Sequence, residues 1–295
     1  RPKIIVATNV AETSLTIEGV RTVIDSGLAR TASFEPRRGI NTLLIKKISR
    51  AAAEQRAGRA GRTAPGRAFR LWSDADHGRR AEFEAPEVHR VDLAEAVLLL
   101  KAAGVSEIRD FRWFNAPTEE SLTRAERLLH DLGALDLSGQ LTEEGAKMAS
   151  LPLEPRFSRL MLAGYEHGCV AETAFIAATV QGEGIFTNKR GSVGRKDFIF
   201  PDDDTDFAGE WRAFESAEAM GFDPRRCDQL GVMARGARET AQGFDRLCSL
   251  AKRFGWEWQP VDFKARREAI GKAMLASFSD QLAIRFSQGT LACKL

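Results

Sequence analysis

The chain opens on an apolar run, Ile4-Ile5-Val6-Ala7, which reads as a buried strand of a parallel sheet. Thr8 and Asn9 follow at its C-terminal end, the end where open α/β sheets bind ligands. A second strand is predicted over residues 20–25, and residues 28–48 form two extended runs around Glu35-Pro36-Arg37-Arg38-Gly39, a hairpin signal. Ser49 is placed to cap a helix that enters residues 55–62. Residues 63–66 then make a turn, residues 68–72 return to the strand pattern, and a charged connector covers residues 73–88.

After the connector the pattern turns helical. One amphipathic helix is predicted over residues 93–103 with Gly104 as its C-cap, and a second over residues 118–132 behind Pro117. Two short runs about Ser138-Gly139 complete a winged-helix pattern. Residues 118–132 mix Glu119, Glu120, Glu126 and Asp131 with Arg124 and Arg127, which favours a structural linker over a helix that reads a nucleic-acid groove. Helices follow at 158–168 and 170–181, then an irregular loop over 187–206 that contains Asp202-Asp203-Asp204. That acidic run lacks the alternating ligands, central glycine and closing Glu of an EF-hand. Helical periodicity resumes over residues 207–254, with Trp211, Phe214, Met220, Leu230, Phe244 and Leu247 as expected core. A helix over 266–276 and β-type segments over 282–295 end the chain.

The densest chemistry lies in Gln-Arg-Ala-Gly-Arg-Ala-Gly-Arg, residues 55–62. If the helix capped by Ser49 runs through it, a step of about 100° per residue brings Gln55, Arg59 and Arg62 within roughly 60° of one another and turns Arg56 away. Glycine inside a helix costs about 1 kcal/mol relative to alanine, so Gly58 and Gly61 point to the close approach of a ligand or a neighbouring domain.

This octet resembles motif VI of the DEAH-box branch of superfamily 2 helicases, and residues 8–17, Thr-Asn-Val-Ala-Glu-Thr-Ser-Leu-Thr-Ile, resemble motif V of the same branch. The resemblance implies that Gln55 orients the attacking water while Arg59 and Arg62 face the β- and γ-phosphates of ATP. It implies further that Ser14 senses the γ-phosphate, that Thr16 and Gly58 line the nucleotide, and that Thr8 and Asn9 touch the RNA backbone. The acid before the motif V glycine holds the ribose in this family. It is usually aspartate, and here it is Glu18, which also reads as an ordinary helix-start carboxylate. The family carries a long β-hairpin near the exit of its RNA channel, so Arg37 and Arg38 are candidate phosphate contacts, with a solvated turn as the alternative. Arg156 and Arg159 are candidates to face the same channel. A guanidinium fork suits these roles because phosphoryl transfer spreads charge over equatorial oxygens that paired, rigid donors can meet.

Composition narrows the rest. The net charge of +2 creates no global field for nucleic acid, so binding would come from local patches. The four cysteines form no Cys-x-x-Cys pair and the four histidines join no metal-type cluster, so neither zinc nor a disulfide framework is expected. No signal peptide is visible, the most apolar helix is too short for a bilayer, and a cytoplasmic location with no membrane partner is expected.

The chain has no Gly-x-x-x-x-Gly-Lys-Ser/Thr loop and no Asp-Glu-Ala-His tetrad. It is therefore expected to be the C-terminal portion of such a helicase, inactive alone, with Mg2+ and most phosphate ligands supplied by an absent first RecA-like domain. The expected fold class is α/β plus mostly α. Residues 1–88 would form part of the second RecA-like domain, 89–152 a winged helix, 153–265 a ratchet-like helical bundle, and 266–295 the start of an OB-like region. Residues 47–51 give a likeness to the bacterial HrpB type. Expected partners are single-stranded RNA, with DNA as an alternative, and an activating protein. The competing reading is a non-catalytic RNA- or protein-docking module.

Overall fold

A computed structural model describes residues 3–13, 17–35, 39–187, 194–285 and 293–294. They pack as two compact units, one of residues 1–93 with 110–123 and the other of residues 94–109 with 124–295.

In the first unit a short helix α1 (Val10–Thr13) precedes strand β1 (Thr22–Asp25). Strands β2 (Leu28–Glu35) and β3 (Ile40–Lys47) form the expected antiparallel hairpin, paired from Leu28 opposite Lys47 to Glu35 opposite Ile40. Helix α2 (Arg50–Gly58) leads to strand β4 (Arg67–Arg70), which lies parallel to β1, and helix α3 (Asp74–Arg79) follows. Ile48, Ala52 and Ala53 form a small core against Ala29 and Trp72.

The apolar run at residues 4–7 is a correction: it forms no strand, and Ile4 and Val6 are 95% and 94% exposed. A parallel strand needs a hydrogen-bonding neighbour and cover on both faces. Among the described residues β1 pairs only with β4, and no strand lies alongside residues 4–7.

Residues 73–92, read as a connector over most of their length, are built into this unit. Arg80 donates to the carbonyls of Gly27 and Ile48 at 2.9 and 3.1 Å and to Asp76 at 2.8 Å, and its guanidinium sits 4.2 Å from the Trp72 ring centre. Farther on, Phe34 N–H donates to the Arg90 carbonyl and Arg90 Nη1 to the Ala32 carbonyl, each at 2.7 Å, which ties the segment along the hairpin.

The second unit is helical: α4 (Ala94–Ala102), the later part of α5 (Glu119–Asp131), α6 (Glu143–Ala149), α7 (Pro155–Glu166), α8 (Val170–Gln181), α9 (Arg195–Phe198), α10 (Asp206–Ala219), α11 (Pro224–Gln229), α12 (Ala234–Arg253) and α13 (Arg267–Phe278). The runs at 133–142 reduce to one bridge, Leu135 opposite Leu141, around a turn in which Asp136 accepts from Ser138 N–H at 2.8 Å and Gln140 N–H at 2.9 Å. Strands β5 (Ile284–Arg285) and β6 (Cys293–Lys294) form one short antiparallel pair, which does not identify an OB-like fold.

Helix α8 packs against α7 and α12, and α7 against α13. The α7–α8 crossing depends on a glycine: a Cβ on Gly164 would stand 2.1 Å from Thr173 Oγ1. Phe175 sits at the centre, 4.9 Å from Trp211, 5.5 Å from Phe214, 6.2 Å from Phe244 and 6.1 Å from Phe263 by ring centres, so the predicted aromatic positions do pack together. Glu172, fully buried, accepts from Asp262 N–H at 2.7 Å and from Arg266, which fastens the approach to α13 onto α8.

Arg156 is a second correction. Arg156 is buried and donates to Asp280 and to the carbonyl of Ser277, while Arg159 pairs with Glu144 at 3.2 Å and Glu166 at 3.4 Å. The first turn of α7 faces the end of α13, so its arginine closes a helix junction and does not line an open channel. The acidic run is likewise paired with cations: Asp202 with Lys264 at 3.4 Å, Asp203 with Arg212, and Asp204 with Arg267 at 3.3 Å.

Candidate functional site at the end of helix α2

The start of α2 is held at every amide. Ser49 Oγ accepts from Ala52 N–H at 3.1 Å, as its position predicts. Ser49 N–H donates to Glu84 Oε1 at 2.8 Å, Arg50 N–H to the Ala81 carbonyl at 2.8 Å, and Ala51 N–H to the Glu82 carbonyl at 3.0 Å. The first-turn donors that a helix leaves unpaired are thereby satisfied by Ser49 and by the chain that follows motif VI.

The other end of α2 carries the candidate chemistry. The α-helix stops at Gly58, short of the full octet, and then tightens: Arg59, Ala60 and Gly61 donate to carbonyls three residues back at 3.1, 3.0 and 3.3 Å. Gln55 is therefore on the helix, Arg59 is its C-cap with φ −66° and ψ −30°, and Arg62 lies beyond it. Gly66 lets the chain turn back under this end, since a Cβ there would stand 2.1 Å from the Ala60 carbonyl oxygen, and Arg67 N–H then donates to the Arg21 carbonyl at 2.8 Å.

Gln55 and Arg62 are exposed, and so are Thr8, Asn9 and Glu18. Gly58 is exposed too, and a Cβ on it would meet nothing within 4 Å, so no described part of this chain makes the close approach its position suggested. Thr8 lies just ahead of α1, its Oγ1 accepting from Val10 N–H at 3.4 Å and its carbonyl from Ala11 N–H at 3.1 Å, while the Asn9 carbonyl accepts from Glu12 N–H at 3.0 Å. Arg59 donates to the backbone carbonyl of Glu12, which brings motif VI onto motif V. Ser14, Thr16, Arg37 and Arg38 lie outside the described residues.

Arg56, which the helical wheel turned away from the site, is a second residue that joins the two motifs. Its Nε donates to Glu12 Oε2 at 2.9 Å, and its Nη1 to Asp25 Oδ1 at 3.0 Å and to the Leu28 carbonyl at 3.1 Å. Sequence reasoning missed Glu12, Asp25 and Arg56. The available signal was Asp25 itself, a carboxylate closing the apolar strand Val23-Ile24, which needs a cation if buried. Among the described residues no group of His, Cys, Asp and Glu is arranged to hold a metal, and no helix is long and apolar enough to cross a membrane.

Comparison with known proteins agrees with the motifs. Residues 1–64 match the family model described as helicase conserved C-terminal domain, residues 125–153 the winged-helix part of the helicase associated domain (HA2), and residues 154–226 its ratchet-like part. The pre-mRNA-splicing factor ATP-dependent RNA helicase prp22 of Schizosaccharomyces pombe is 31% identical over 289 residues, which cover 97% of this chain and 25% of that protein. The chain thus spans about a quarter of the length of the relative it matches. These matches support a DEAH-box helicase family for the chain, with the helicase conserved C-terminal domain followed by the winged-helix and ratchet-like parts of the helicase associated domain.

Proposed function

We propose that the protein of which this chain is part is an ATP-dependent RNA helicase, and that this chain supplies its arginine fingers and part of its RNA channel. The observation that carries the reading is the end of α2, where Gln55, Gly58 and Arg62 are exposed and Arg59 is tied to motif V. The open space over Gly58 fits phosphate oxygens approaching from outside the chain. Bound ATP supplies the γ-phosphate whose presence or loss distinguishes two states of the motor.

On this reading Gln55 orients the attacking water and Arg59 and Arg62 face the β- and γ-phosphates. Ser14, Thr16, Glu18 and Gly58 serve the nucleotide, and Thr8 and Asn9, with Arg37 and Arg38, serve the RNA backbone. Mg2+ and the remaining phosphate ligands come from a first RecA-like domain outside this chain, so the chain alone does not turn over ATP. The RecA-like identity of the first unit, the domain boundaries at residues 88, 152 and 265, and an OB-like region from residue 266 belong to this proposal. So do the likeness to the HrpB type, a cytoplasmic location and an activating protein partner.

The test is steady-state ATP hydrolysis by the intact parent protein, with and without single-stranded RNA, for wild type and Arg62→Ala. RNA-stimulated turnover that falls by about 10³-fold or more in the variant supports the reading. Wild-type turnover in Arg62→Ala sinks the finger role, and no turnover by wild type in either condition favours a docking platform.

A further inference from the structure

Glu12 meets two of the three motif VI arginines through different atoms. Its carboxylate accepts from Arg56, and its backbone carbonyl accepts from Arg59. Arg56 is fixed on its other side by Asp25 and by the Leu28 carbonyl. The three side chains are well covered, at 14% exposure for Arg56, 19% for Glu12 and 6% for Asp25. A planar guanidinium spread across two carboxylates and a carbonyl at this burial has little freedom to reorient.

The partners come from separate elements. Glu12 is in α1, Asp25 ends β1, Leu28 opens β2, and Arg56 is in the last turn of α2. Helix α1 has only four residues, too few to hold its own place without tertiary ties. Holding the Glu12 carboxylate on Arg56 therefore also holds the Glu12 carbonyl where Arg59 meets it.

We infer that Glu12 and Arg56 are positioning residues for Arg59: their ion pair seats α1 on α2 and thereby sets the Arg59 guanidinium, linking the Thr8 and Asn9 end of motif V to the finger. This rests on the function proposed above. Neither residue touches the nucleotide or RNA in that scheme. Misplacing a catalytic group by about 1 Å costs on the order of 10²-fold in rate, so the loss of this link should act on turnover more than on binding.

The test uses the intact parent protein and a single-stranded oligouridine at saturation. ATP hydrolysis is measured for wild type, Glu12→Ala, Glu12→Gln, Arg59→Ala and the Glu12→Ala/Arg59→Ala double variant. The inference expects Glu12→Ala to lower kcat by about 10- to 100-fold with KM for ATP within about twofold of wild type. Glu12→Gln, which keeps an acceptor for Arg56, recovers most of the loss, and Glu12→Ala adds nothing in the Arg59→Ala background. Should the alanine variant fail to fold, Arg56→Lys carries the same expectation, because an ammonium cannot fork across Glu12 and Asp25.

Wild-type kcat in Glu12→Ala, additive losses in the double variant, or no recovery with glutamine overturns the inference. Inactive Arg59→Ala beside active Glu12→Ala overturns the inference alone. Full activity in Arg59→Ala, or no turnover by wild type, overturns the proposed function and this inference together.

Discussion

Arg156, in the first turn of α7, and Asp280, just beyond α13, are joined by two hydrogen bonds of 2.7 and 2.6 Å. Arg156 also donates to the Ser277 carbonyl at 3.1 Å, so one guanidinium closes the end of α13 onto α7. Breaking a fully buried pair costs about 3–5 kcal/mol, and because Asp280 is 35% exposed the lower end, about 3 kcal/mol, is expected for Arg156→Ala. Urea unfolding of the chain, followed by circular dichroism, checks this.

The same pair sets a pH dependence. The Arg156 hydrogen bond holds the Asp280 carboxyl below its ordinary value of 3.8. A lowered folded-state value means that the stabilisation is fully present above 3.8 and is lost as pH falls through the lower folded value. The stability difference between wild type and Asp280→Asn should therefore be constant from neutral pH down to mildly acidic pH and shrink only below that ordinary value. A difference that disappears near pH 6 would exclude this origin.

Two glycines should respond in opposite ways to alanine. Gly164→Ala drives a Cβ into Thr173 and should destabilise the chain by about 1–3 kcal/mol. Gly58→Ala meets open space in the last turn of α2 and should stabilise the chain by up to about 1 kcal/mol. In the parent protein the same Gly58→Ala should reduce ATP turnover if phosphates approach there. Thermal midpoints of the chain and hydrolysis rates of the parent, measured on the same variants, separate the two effects.

Burial pushes the thiols of Cys169 and Cys248 up to about 11, and the Cys227 thiol also lies above its ordinary value. The thiolate is the nucleophile, so these three should label slowly with iodoacetamide at pH 8 while the second unit is folded and rapidly in denaturant. Site-resolved mass spectrometry across a urea series should then place the labelling transition of Cys169 at the unfolding midpoint. Fast labelling of Cys169 in the native chain would contradict its burial.

Local patterns were legible where they depend on neighbouring residues. Ser49 caps α2 and the runs about residues 35–39 pair as a hairpin because each choice satisfies nearby backbone groups. The strand expected at residues 4–7 failed because a parallel strand is made by its neighbours and not by its own apolar run. Arg56 escaped notice because its partners lie 44 and 31 residues away, and a helical wheel reports only which way a side chain leaves its helix. Arg156 misled for the same reason: its ion-pair partner is fixed by helix packing that no local spacing encodes.

The amides that open α2 are answered by Ala81, Glu82 and Glu84, well past the motif whose helix they begin. A fragment ended at residue 64, where the conserved helicase match stops, would leave those three donors without their partners and would also lose Arg80 from beneath the hairpin. The shortest piece expected to keep motif VI in its present shape therefore runs through Glu84, so a boundary drawn from motif matching alone would cut inside the structure that supports the motif.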